Sequence, residues 1–148
     1  MFDRMGEQLS RFAEEFPLWF SNNYDDVISL TIDHALIVLL AILIAGVLGV
    51  SAGVLTYRRP RPREAVLRVT GLFLTIPSLA LYALLITFPL LGIGFKSVLV
   101  ALIMYSLLPI VRNTITGLLG VDPAIVESAQ GMGMSRNQRL WRIELSLA

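Results

Sequence analysis

The sequence predicts an all-α protein, a polytopic bundle of membrane-spanning helices, and three observations carry that prediction. Only 16% of its 148 residues are charged and 55% are hydrophobic, where a soluble domain carries about a quarter charged. The charges leave long stretches empty, between Asp33 and Arg58, between Arg68 and Lys96, and between Lys96 and Arg112. An ionised side chain at the centre of a membrane helix costs roughly 2.5–3.5 kcal/mol, so such gaps mark membrane spans. Arginines gather at the ends of those stretches, as they do on the cytoplasmic side of a membrane.

Residues 1–33 read as a separate, extracytoplasmic segment, and residues 34–148 as the membrane domain. In the first segment Phe2, Met5, Leu9, Phe12 and Phe16 recur at helical spacing, which predicts an amphipathic helix over 1–20. Arg4, Glu7, Gln8, Arg11, Glu14 and Glu15 fill its other face, and Trp19, Phe20 and Tyr24 follow in the manner of an interfacial belt. A helix lying on the membrane surface and a helix packed on the rest of the protein both fit this pattern.

The first span is expected over 34–56. Its 23 residues reach roughly 34 Å, enough for ~30 Å of hydrocarbon. Gly49 and Gly53 stand four apart in it, a spacing that lets helices approach closely. Next comes Tyr57-Arg58-Arg59-Pro60-Arg61-Pro62-Arg63, where prolines stop the helix and four arginines crowd one turn. Directly after a span, such a run is a topology signal rather than a nucleic-acid site.

The second span is expected over 66–91, interrupted at Pro77. Leu91-Gly92-Ile93-Gly94 makes a tight turn, and the third span runs over 95–111, with Pro109 near its end. Pro77 and Pro109 are either packing kinks or bends lining a pathway. Residues 1–33 hold two basic and seven acidic residues, the turn from Tyr57 to Arg68 five arginines, and residues 112–148 four. Three crossings then place the N-terminus outside and the arginine turn and the C-terminal segment inside.

That last segment, about 120–148, reads as two short helices with a hinge. Asp122-Pro123 is a helix start, with a capping carboxylate followed by proline at the first helical position. Ile125, Ser128, Ala129 and Met132 share a face; Gly131 and Gly133 break the helix. Ser135 and Gln138 form a capping box that restarts it, and Leu140, Ile143 and Leu147 make the next apolar stripe.

Glu127-Ser128-Ala129, then Gly133, then Ile143-Glu144-Leu145 resembles the cytoplasmic EAA loop of binding-protein-dependent ABC importer permeases. The spacings of that pattern all agree, with Ser128 in place of alanine and Ser146 in place of proline. Thr75-Ile76-Pro77-Ser78-Leu79-Ala80, the run Leu107 to Thr114 through Pro109, and Gly120 to Met134 are similar to the quaternary-amine branch, which imports glycine betaine, choline, carnitine and related osmoprotectants. The resemblance covers roughly Asp33 to Leu147.

The resemblance implies a type I importer fold that continues with further spans beyond Ala148. It implies two cytoplasmic ATPase subunits, a second permease subunit, like or unlike, and an extracytoplasmic substrate-binding protein, all in a bacterial inner membrane. ATP and Mg would sit on the ATPase; this chain would carry no cofactor and no catalytic residue. Glu127, Ser128, Ala129, Gly133, Ile143 and Leu145 would couple it to the ATPase.

Other classes fit less of the sequence. A small non-transporting assembly or regulatory protein explains three spans but leaves the loop spacing unexplained. A fragment of a secondary transporter would use Pro77 and the glycines as a broken-helix site, yet ion-coupled carriers commonly need intramembrane ionisable residues. The absence of cysteine excludes thiolate chemistry, and a single histidine, His34, excludes a multi-histidine metal site within these residues. No nucleotide loop or nucleophile–base arrangement is visible.

Overall fold

The computed structural model describes residues 2–148, and the side chains of these except 2–5, 7–10 and 13. Every regular element is helical: α1 (Phe2–Asn22), α2 (Tyr24–Thr56), α3 (Pro60–Thr75), α4 (Ser78–Ile86), α5 (Phe95–Gly120), α6 (Pro123–Gly131), α7 (Arg136–Arg139), a π-helical turn (Leu140–Glu144) and α8 (Leu145–Leu147). The chain divides into two units, Met1–Ile37 and Val38–Ala148.

In the first unit the expected amphipathic segment is helical. Of its proposed apolar stripe, Phe2, Met5 and Leu9 lie outside the described side chains, as do Arg4, Glu7 and Gln8. Phe12 and Phe16 are exposed and stacked at 5.2 Å, and Phe16 continues to Trp19 at 6.4 Å. Helix α2 starts at Tyr24, ten residues before the predicted span. Asp25 and Asp26 lie in its first turn, where carboxylates favour the positive end of the helix dipole. Asp33, the charge at which the boundary was expected, therefore lies inside the helix.

The second unit contains the packed membrane core. Among the described residues, helices α2 and α5 are the two that are long and apolar enough to cross a membrane. They approach closely at the glycine pair: a Cβ on Gly49 would lie 2.8 Å from Ile110 Cγ2, and one on Gly53 2.7 Å from Thr114 Cγ2. The spacing of these glycines thus serves packing within one chain. Overfilling a packed contact costs typically 1–3 kcal/mol, so Gly53→Leu is expected to destabilise the purified protein by about 2 kcal/mol. Gly46→Leu is the control, because a Cβ there meets nothing within 4 Å. Equal thermal melting of the two variants would show that α2 and α5 do not touch at Gly53.

The second span departs most from expectation. Instead of one kinked helix over 66–91, α3 and α4 meet at a 93° bend, and helix ends altogether at Ile86. The residue before a proline is driven into extended geometry, and Ile76 is extended at φ −83° and ψ 127°. Pro77 therefore breaks the helix rather than bending it. At the other end α3 begins at Pro60, so Arg61 and Arg63 belong to its first turn and the true connection is only Tyr57 to Arg59. Proline at the first helical position needs no N–H partner, which is why this one starts a helix as the one before it ends.

The helix of the third expected span also runs beyond residue 111. Helix α5 continues past Arg112 to Gly120, with Pro109 inside it rather than near its end. Proline is tolerated there when other groups satisfy the freed backbone. The turn ahead of α5 holds Gly92 and Gly94 at positive φ, and Ser97 donates its hydroxyl proton back to the Gly92 carbonyl. The core itself is Tyr57, Val111, Ile115 and Leu118, packed against Val66, Leu67, Leu140 and Leu145. It joins the end of α2, the start of α3, the second half of α5 and the segment after α7.

Candidate functional site

The segment after α5 folds as two capped helices around a sharp turn. Asp122 accepts from the Ala124 N–H at 2.8 Å and so caps α6, as its place before Pro123 predicts. The helix ends through two paired bonds. The Gly133 N–H reaches the Gln130 carbonyl at 3.0 Å, and the Met134 N–H reaches the Ala129 carbonyl at 3.2 Å. This is the Schellman closure, which requires a left-handed residue just past the helix, and Gly133 supplies it at φ +81°. Gly131 is still helical, so of the two glycines only Gly133 makes the turn. Ser135 and Gln138 then exchange the two bonds of the capping box and start α7.

The predicted coupling residues separate into two groups. Glu127, Ser128 and Gly133 are exposed, beside exposed Ile125 and Met132. Ala129 is buried within the chain, Ile143 is half-buried, and half-buried Leu145 packs against the core. The helix pair α6–α7 forms a compact knob whose outer face is made by Ile125, Glu127, Ser128 and Met132, while Ala129 and Leu145 hold it to its own chain.

Sequence reasoning gave Glu144 no role, yet it is the centre of the site. It is 4% exposed, in the π-helical turn. The Tyr57 hydroxyl donates to its Oε2, and Arg58 Nη2 donates to Oε1 at 2.6 Å. Burial, with the carboxylate beside it, pushes the Tyr57 hydroxyl up to about 12. Raised above its ordinary value near 10, the hydroxyl keeps its proton, and its contribution to stability is lost only as pH rises from about 10 towards 12. The bond therefore persists throughout neutral pH. A π-turn widens the helix by a residue and is frequent at functional sites; here it lies where Glu144 turns inward to Tyr57. Two arginines at the end of a span read from sequence as a topology signal, and nothing local marks one of them as an ion-pair partner 86 residues away.

Pro77 and Pro109 converge on one residue, Tyr105. The Tyr105 hydroxyl donates to the carbonyl of Ile76, at the break that Pro77 makes. Pro109, four residues after Tyr105, has no N–H to offer the Tyr105 carbonyl.

With this geometry in view, comparison with known proteins is decisive. The family described as binding-protein-dependent transport system inner membrane component matches residues 45–148. The chain belongs to this family. Among relatives of this inner membrane component, the carnitine transport permease protein OpuCB of Listeria monocytogenes is 37% identical over 127 residues, covering 86% of this chain and 57% of that one. The choline transport system permease protein OpuBD of Bacillus subtilis (strain 168) is 38% identical over 135 residues, 91% of this chain and 59% of its own. The osmoprotectant import permease protein OsmW of Salmonella typhimurium is 44% identical over 123 residues, 81% and 57% of the respective chains. This inner membrane component thus spans 57% to 59% of the length of these relatives. No solved structure matches it.

Proposed function

We propose that this chain forms part of the membrane-spanning subunit of an ATP-driven importer for small quaternary amines of the glycine betaine, choline and carnitine type. The observation that carries the reading is the doubly capped knob around Gly133, exposed on its outer face and tied through Glu144 to the end of the first span. A rigid projection anchored to a membrane helix can transmit a push from a moving partner, and a flexible loop cannot. The partner is a cytoplasmic ATPase dimer that carries ATP and Mg. A second permease subunit completes the pathway, an extracytoplasmic binding protein delivers the solute, and lipid surrounds the apolar helices. This chain contributes no catalytic residue and contacts no nucleic acid. The printed names of the carnitine, choline and osmoprotectant relatives support the solute class.

The Glu144 contacts also bear on topology. Arg58 follows α2 and Glu144 follows α5, and their side chains meet at 2.6 Å, which supports placing both ends on one face of the membrane. Helix α5 is long enough to cross. The chain between Arg58 and α5 must then cross as well, which supports reading α3 and α4 as a single broken span. With five arginines from Tyr57 to Arg68, that shared face is the cytoplasmic one, and residues 1–33 are outside.

Single-cysteine labelling of the complete permease in intact cells tests this placement, and the described chain adds no background thiol. Asn22→Cys should react with an impermeant maleimide and Arg61→Cys should not; both sites are exposed. The reverse pattern would invert the topology and leave the knob facing away from any ATPase. The transport reading itself is checked by copurifying the complete permease with its ATPase and measuring uptake of labelled choline, glycine betaine and carnitine. A purified complex that imports none of them would refute it.

A further inference from the structure

A cavity of about 350 Å³ lies between α4 and α5, beside the break at Pro77. Tyr82 from α4 and Tyr105 from α5 line it, with Ser78 and otherwise aliphatic side chains. No Asp, Glu, Lys or Arg is among its described lining residues. Tyr105 stands ten residues into α5, roughly 15 Å from the start of that helix, or halfway across ~30 Å of hydrocarbon. Its hydroxyl is committed to the Ile76 carbonyl, which fixes the ring and leaves that proton unavailable to a ligand.

The cavity therefore combines mid-membrane depth, two aromatic rings from different helices, and no counter-charge. Small-molecule sites have this size and this mostly apolar lining. A metal ion, an anion or a sugar would find too few polar partners. A quaternary ammonium has no N–H to donate and spreads its charge over a methyl surface, and aromatic faces attract such a cation without a carboxylate. Without a counter-charge the attraction stays weak, as passage demands, since a pathway site must release what it admits.

We propose that this cavity is a transit site for the trimethylammonium group of the solute, with Tyr82 and Tyr105 as its aromatic walls. The proposal rests on the quaternary-amine reading above and assigns that solute a place on this chain. It makes Tyr82, which the Ile76 bond does not involve, the residue to test.

The experiment uses the complete permease with its ATPase and binding protein in vesicles, and follows uptake of labelled choline. Tyr82→Phe keeps the ring and should import well above the rate of Tyr82→Leu. Tyr82→Leu removes it and should slow uptake roughly tenfold, with choline affinity of the binding protein unchanged. Phenylalanines bearing increasing numbers of ring fluorines at position 82 weaken the ring's negative face with little change of shape, so uptake should fall stepwise along the series. This series decides the matter even where Tyr82→Leu does not accumulate in the membrane. Wild-type choline uptake with a flat fluorine series would overturn the site and leave the importer reading intact. Wild-type vesicles that import neither choline, glycine betaine nor carnitine would overturn both.

Discussion

Glu144→Ala in the complete permease is expected to cost about 3 kcal/mol of stability and to abolish substrate-stimulated ATP hydrolysis. The stability loss follows from what alanine leaves behind. Tyr57 loses its buried acceptor, and Arg58 loses its only ion-pair partner among the described residues. Removing one partner of a buried ion pair costs ~3–5 kcal/mol, and Arg58's residual exposure to solvent puts the effect at the low end. Tyr57→Phe leaves one buried carboxylate oxygen without its donor and should cost about 1–2 kcal/mol. Glu144→Gln retains an acceptor for Tyr57 but loses the charge that holds Arg58, and should fall between the two. Thermal melting of the purified permease ranks the three variants.

Stability alone does not establish a coupling role. The second measurement is the ratio of substrate-stimulated to basal ATP hydrolysis at a temperature where each variant remains folded. If Glu144 ties the knob to the first span, Glu144→Ala keeps the basal rate and loses the stimulated one. A melting loss with an unchanged ratio would reduce Glu144 to an internal brace. An unchanged melting temperature would mean that the contact with Tyr57 and Arg58 is absent in the working protein.

The second large effect is expected at Gly133. A Cβ there meets nothing within 4 Å, so space is not the constraint; the backbone is, at φ +81°. A side chain in left-handed geometry costs roughly 1–2 kcal/mol, less for asparagine than for branched residues. The turn can escape that strain by giving up the Schellman bonds to Ala129 and Gln130, which would swing α7 away from α6. Gly133→Leu should therefore insert normally yet bind the ATPase at least about tenfold more weakly, the equivalent of ~1.4 kcal/mol. Gly133→Asn should retain most of the binding. Copurification of the ATPase with each variant gives the comparison, with Glu14→Ala on α1 as a control that changes nothing. If leucine and asparagine behave alike and both match glycine, the turn plays no part in docking.

The sequence by itself determined the elements that depend on local chemistry. Charge-free stretches marked the apolar helices, because water-free hydrocarbon admits few ions. Asp122-Pro123 and Ser135 with Gln138 marked the starts of α6 and α7, because caps satisfy backbone donors with side chains close in sequence. The same local logic misjudged lengths. Asp33 read as the end of a polar segment, and Arg112 as the end of a span, although both α2 and α5 run on through them. A helix needs only backbone bonds to continue past a charge, and where the membrane ends is a separate question.

Three features were decided only by tertiary structure. The break at Pro77 could have been a mild kink or a right angle; Tyr105, 29 residues away, holds the Ile76 carbonyl that the 93° bend leaves free. Gly49 and Gly53 acquired a partner only once α5 was laid against them. Glu144 looked like one more acidic residue on a cytoplasmic segment, and its burial against Tyr57 and Arg58 depends on the chain after α5 folding back to the end of α2. Periodicity and capping report neighbours within about four residues. A contact made 87 residues apart leaves no such trace, because it depends on how helices are brought together rather than on how any one of them forms.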